Sequence, residues 1–123
     1  MTDELDLSIT SQGPCAVVSI LGEIDLGTAH RLNEAALEAM QACGPSVVLD
    51  LSGVTFMDST GLKVLLAVHK RAELAGGRLV LAGATRSVTR VVSITGFDKT
   101  FAVCDDVETA VAAATADALD PPA

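Results

Sequence analysis

The chain has no tryptophan and no tyrosine, and only three phenylalanines among 123 residues. With half of its residues hydrophobic, the core has to be assembled from Val, Leu, Ile and Ala. Cations are also scarce: eight Lys and Arg face sixteen Asp and Glu, a formal charge of −8. A nucleic-acid reader needs basic patches and stacking aromatics, and this chain offers neither. The same charge disfavours anionic membranes. An acidic chain leans instead towards a basic partner surface. No apolar run reaches the roughly 18 residues that a membrane span requires. The N-terminal "MTDELDLSIT" is acidic and has no apolar core of a signal peptide, so a cytoplasmic location is expected. Cys15, Cys43 and Cys104 are odd in number, far apart and set among apolar neighbours. They read as buried free thiols, with a redox pair left open. No Cys or His cluster has metal-ligand spacing, and no G-x-x-x-x-G-K-[ST] loop is present. Neither a metal nor a cofactor is expected.

What is present is an alternation of strand and helix patterns. Leu5, Leu7 and Ile9 alternate with polar residues, the period of a half-buried strand. "QGP" turns the chain into a second, more continuous apolar strand, "CAVVSILGEI". Thr28 is placed to cap a helix from Ala29 to about Cys43, with Leu32, Ala36, Leu37 and Met40 on its inner face, ended by Gly44-Pro45. "SVVLDLSGV" is a short β-branched strand. A second helix starts near Ser59 or Thr60, is driven by Leu62, Leu65, Leu66 and Val68, and closes at Gly76-Gly77. "RLVLAG" is the next strand. "TRSVTRVVSITG" is a third helix, stopped by Gly96, with Phe97 placed for a Schellman-type contact. "TFAVC" and "DDVETAVAAATADAL" give a last strand and helix, and "DPPA" a tail. The order predicts one α/β domain: a mixed, mostly parallel sheet of about five strands with about four helices. The first strand should be antiparallel and at an edge. The domain is drawn over 1–116, with 117–123 as helix end and tail.

In a parallel sheet, functional loops gather at the carboxyl ends of the strands. Two lie there: "GEIDLGTA", holding Asp25, and "FMDSTG", holding Asp58, Ser59, Thr60 and Gly61. Read alone, Asp58 and Ser59 are good helix caps. The functional alternative is an exposed hydroxyl at a helix N-terminus, where backbone N–H groups favour added negative charge. Gly61 would leave room beside it for another protein. Asp25 either caps the first helix or faces a partner. A serine nucleophile would need a base. His69 is ten residues further along the helix, about 15 Å away, and no G-x-S-x-G elbow exists. His30 and His69 read as helix-surface residues. An aspartyl phospho-acceptor of response-regulator type would need an acidic pair after the first strand, where "TSQGP" stands. Lys63, Ala67 and Lys70 mark the outward face of the second helix as a candidate contact area.

The segments "LGEIDLGTA", "VVLDLSGVTFMDSTGLKVL", "AGGRLVLAG" and "VTRVVSITGFDKTFAV" resemble, nearly end to end and in order, the STAS domain of bacterial anti-sigma factor antagonists. The family's D-S-[ST]-G segment is its phosphorylation site, and the serine after the aspartate maps onto Ser59. The family's G-E-[LI]-D aspartate, near the acceptor, maps onto Asp25. The resemblance implies a non-enzymatic, partner-switching regulator. Unphosphorylated, it would bind an anti-sigma factor that is also a serine kinase, and so release a sigma factor. Phosphorylation of Ser59 would end binding, and a PP2C-type phosphatase would restore it. STAS domains also serve as sensory or scaffold modules that bind a ligand or another signalling protein without being phosphorylated.

Overall fold

The computed structural model describes residues 5–119. Two strands, β1 (Leu5–Gln12) and β2 (Cys15–Ile24), form an antiparallel hairpin. Gly13, at φ +64°, begins its two-residue turn, a backbone conformation that costs glycine little. Then follow α1 (Ala29–Cys43), β3 (Val47–Met57), α2 (Ser59–Leu74), β4 (Leu79–Ala82), α3 (Arg86–Ile94), β5 (Ala102–Cys104) and α4 (Val107–Leu119). The sheet order is β1-β2-β3-β4-β5, and every pair after the hairpin is parallel. The mixed sheet and the antiparallel edge strand agree with the sequence reading.

Strand order explains the layering. Each parallel strand is laid beside its predecessor in chain order. Right-handed crossovers then put α1, α2 and α3 on one face of the sheet. Leu32, Leu65 and Val88 from these helices join Val18, Leu49 and Leu81 from the strands in the main core. Helix α4, which follows β5, covers the other face, where Ala110 and Ala114 meet Val17, Val48 and Val80. The side chains at 110 and 114 are small, so α4 can lie close to the sheet.

Several details depart from the sequence reading. Strand β3 runs three residues past Val54, because Phe56 and Met57 pair with Glu23 and Ile24 of β2. The inner face of α1 consists of Ala29, Leu32, Ala35, Ala36 and Ala39, while Leu37 and Met40 are only partly covered. Alanines face the sheet and the larger side chains flank them. Cys15 is buried, but Cys43 and Cys104 are half-buried; all three are free thiols. His69 is no simple surface residue. Its ring stands edge-on to Phe101 at 5.6 Å and its Nε2 lies 3.6 Å from Glu73. The Schellman closure at Gly96 is present: the Phe97 N–H donates to the Val92 carbonyl at 2.9 Å and the Gly96 N–H to Ser93 at 3.1 Å. The acidic start of the chain and the "DPPA" tail lie outside the described residues.

Candidate functional site

Strands β2 and β3 are adjacent and parallel, so the loops that leave them share one rim. The junction between them is short. The Asp58 N–H donates to the Ile24 carbonyl at 3.2 Å, which ties the start of α2 to the residue just before Asp25. Asp25, Asp58, Ser59, Thr60 and Gly61 are thereby brought to one end of the sheet.

The Asp25 loop is closed from within. The Asp25 carboxylate accepts from the Gly27 N–H at 3.0 Å. Its carbonyl accepts from the N–H groups of Thr28 at 3.1 Å and Ala29 at 2.8 Å. Thr28 stands at the N-cap of α1, yet its hydroxyl caps no helix N–H, contrary to the role expected for it. That hydroxyl donates to the Glu23 carbonyl at 2.7 Å and accepts from the Asp25 N–H at 3.0 Å. At 2% exposure it is the buried polar side chain of the described core. The hydroxyl thus bridges the end of β2 to the loop that follows it, satisfying a backbone acceptor and a backbone donor at once. Asp25 thus closes the turn ahead of α1 instead of capping the helix itself.

At the second loop the structure separates two roles that the sequence left merged. Asp58 is the N-cap of α2, with extended backbone at φ −111° and ψ −170°. Its Oδ1 accepts from the Thr60 N–H at 2.9 Å and more weakly from Gly61 at 3.4 Å. Ser59 is the first helical residue. It is exposed, and among the described residues its hydroxyl has no hydrogen-bond partner. Capping therefore does not account for Ser59. Thr60 is half-buried. Lys63, one turn beyond Ser59, is exposed, as are Ala67 and Lys70; helical spacing places them in one outward stripe with Ser59.

Gly61 does not open space for a partner. It is buried, and a Cβ there would fall 2.5 Å from Met57 Cγ and 2.8 Å from Ile24 Cγ2. The missing side chain lets the first turn of α2 settle onto the ends of β2 and β3. Ile24 and Met57 are thus positioning residues that sequence reasoning missed. The run of apolar residues directly before Asp58 was their one visible trace. His69 lies about three turns beyond Ser59 along α2, and His30 is exposed in the first turn of α1; among the described residues the Ser59 hydroxyl is hydrogen-bonded to neither.

A STAS domain model matches residues 6–110. The chain belongs to the STAS domain family. It is 40% identical over 102 residues to the anti-sigma-F factor antagonist RsfB of Mycobacterium tuberculosis, covering 80% of each chain. It is 37% identical over 79 residues to the anti-sigma-B factor antagonist of Bacillus subtilis, covering 64% of this chain and 72% of that one. Among solved structures, an anti-sigma factor antagonist from Mycobacterium paratuberculosis superposes with a TM-score of 0.81 at 29% identity, covering 91% of this chain and 95% of the other. The unphosphorylated form of the antagonist SpoIIAA shares the fold, with a TM-score of 0.74 at 18% identity over 92% of this chain and 97% of that one. In this STAS domain the rim formed by the Asp25 loop and the α2 N-terminus carries the residues singled out from sequence. Among the described residues no helix is long and apolar enough to cross a membrane.

Proposed function

We propose that this STAS domain is an anti-sigma factor antagonist of a partner-switching pathway, acting in the cytoplasm with Ser59 as its phosphoacceptor. In the unphosphorylated state it binds an anti-sigma factor that is a serine kinase, and so releases a sigma factor. Phosphorylation of Ser59 ends that binding, and a PP2C-type phosphatase restores it. The chain catalyses nothing itself; Asp25, Asp58, Thr60 and Lys63 border the modified residue on the partner-facing rim. The observation that carries this reading is the division of labour at the start of α2: Asp58 supplies the cap, leaving the exposed Ser59 hydroxyl unengaged.

The physics of such a switch is local. A phosphate adds up to two negative charges and three strong acceptors. The helix N-terminus stabilises an anion by about 0.3–1 kcal/mol, but Asp58 already holds the Thr60 and Gly61 N–H groups and opposes the new charge. These effects are small and of opposite sign, so the fold survives modification. At an interface they are not small. Two like charges about 5 Å apart, at an effective dielectric of about 20, repel by about 3 kcal/mol, which is about a hundredfold in affinity. Phosphorylation then releases the partner without unfolding either protein.

The test is incubation with the serine-kinase anti-sigma factor of the same organism and ATP, with the phosphate located by mass spectrometry. Ser59 is expected to carry it. Ser59→Ala should still bind the kinase and take up no phosphate. Phosphate on Thr60 in that variant would remove Ser59 from the role. Absence of phosphate from the wild-type chain would favour a sensory or scaffold STAS module. Backbone NMR shifts far from the α2 N-terminus in the phosphorylated protein would contradict a local switch.

A further inference from the structure

We infer that the groove between the end of β3 and helix α3 is a second docking point on the same partner, one that receives an acidic segment bearing an apolar side chain. The inference rests on the reading that this chain binds an anti-sigma factor.

The groove follows from unequal strand lengths. Strand β4 pairs only with Val47 to Asp50 of β3, so the remainder of β3 has an edge without a strand beside it. Helix α3 lies along that edge and is tied to it at its start. The Thr85 hydroxyl donates to the Val54 carbonyl at 2.9 Å, and the Ser87 hydroxyl to Thr55 at 3.1 Å. Beyond these ties strand and helix part. They leave a groove of about 380 Å³ lined by Phe56, Met57, Arg86, Arg90, Val91 and Ile94.

Two features of the lining point to its occupant. The first is apolar surface: Phe56 is 45% exposed and Ile94 74% exposed, on opposite walls. The second is charge. Arg86 and Arg90 sit one turn apart on α3, and among the described residues neither is engaged by a carboxylate. In a chain where acids outnumber cations two to one, most of the surface repels an acidic segment. Here the local sign is reversed, and the arginines present donors suited to paired carboxylate contacts. The groove is also continuous with the rim, since Met57 lines it and is followed directly by Asp58 and Ser59. The binding face therefore has two poles: acidic at Asp25 and Asp58, basic at Arg86 and Arg90. Such a face sets the partner's register and not only its attraction.

Titration calorimetry with the recombinant anti-sigma factor of the same organism tests this. The variants are Arg86→Glu/Arg90→Glu, Ile94→Ser, and Leu74→Ser as a control. Leu74 is an equally exposed apolar residue, 80% accessible, at the far end of α2. Circular dichroism should show all variants folded, because every altered side chain is exposed. The double charge reversal is expected to raise Kd by about tenfold or more and to flatten its salt dependence. Ile94→Ser should raise Kd by roughly threefold or more, and Leu74→Ser should bind like the wild type. If the wild type binds and both groove variants match it, the docking point is refuted while the proposed function stands. A change in self-association with unchanged partner affinity would assign the groove to a second copy and also refute it. If the wild type itself fails to bind, the functional reading falls and this inference with it.

Discussion

Replacing Gly61 by alanine sets two effects of known size against each other. In a helix alanine is favoured over glycine by about 0.8–1.0 kcal/mol, and helix propensity alone makes Gly61→Ala stabilising. Packing argues the other way. The new methyl would lie 2.5 Å from Met57 Cγ, 2.8 Å from Ile24 Cγ2 and 3.0 Å from Met57 Sδ. Inserting a methyl into a filled core costs about 1–3 kcal/mol. Met57 is flexible enough to swing away in part. Ile24 is not: it is fully buried, β-branched, and its carbonyl holds the Asp58 N–H. Packing wins, and the variant should lose about 1 kcal/mol, which for a domain of this size lowers Tm by about 4 °C. Urea unfolding monitored by circular dichroism measures it. A double-mutant cycle with Met57→Ala should show favourable coupling, because truncating Met57 removes two of the three close contacts. A Gly61→Ala variant more stable than the wild type by about 1 kcal/mol would show that Ile24 yields freely. The account of how the two loops are held together would then be wrong.

Three further outcomes are expected. Asp58→Ala, which removes the α2 cap, should destabilise the protein by about 1 kcal/mol, whereas Asp58→Asn keeps an acceptor and should stay within a few tenths of a kcal/mol of the wild type in the same urea assay. Thr28→Val preserves shape but removes the hydroxyl's bonds to the Glu23 carbonyl and the Asp25 N–H; a loss of about 1–3 kcal/mol is expected, with faster amide exchange across the Asp25 loop. Burial, reinforced by the nearby Cys43, pushes the Cys15 thiol above its ordinary value of 9.0. The folded state then holds this proton more tightly than the unfolded chain, so the associated stability is complete below about pH 9 and is lost as pH rises through the folded-state value. Urea midpoints for the wild type should therefore fall more steeply from neutral to alkaline pH than those for Cys15→Ala.

Much of this architecture is written in local patterns. Alternation in Leu5, Leu7 and Ile9, the Gly-Pro and Gly-Gly punctuation, and the three- and four-residue spacing of Val88, Val91 and Val92 each depend on residues close in the chain. Strand-helix alternation then restricts the topology through the right-handed crossover. Local patterns and the fold diverge where partners are distant in sequence. The extension of β3 to Met57 depends on pairing with Glu23 and Ile24, more than thirty residues earlier. The inner face of α1 is chosen by how closely the sheet approaches, which favours Ala35 and Ala39 over Leu37 and Met40.

The same line runs through the site. The sequence by itself determined that Asp25 and Ser59 stand at the same end of the sheet, because successive parallel strands present their following loops at the same end; that β2 and β3 are neighbours, which puts the two on one rim, was decided by the tertiary structure. The sequence also determined that acid, hydroxyl and glycine stand at a helix start, since capping chemistry is local. Only the tertiary structure decided which of Asp58 and Ser59 is the cap, because that depends on the extended backbone at Asp58 and on its tie to Ile24. Only it decided that Gly61 serves the interior and not a partner. And only it could reveal the groove at Phe56, Arg86 and Ile94, whose walls come from a strand and a helix about thirty residues apart in the chain and meet because β4 ends early.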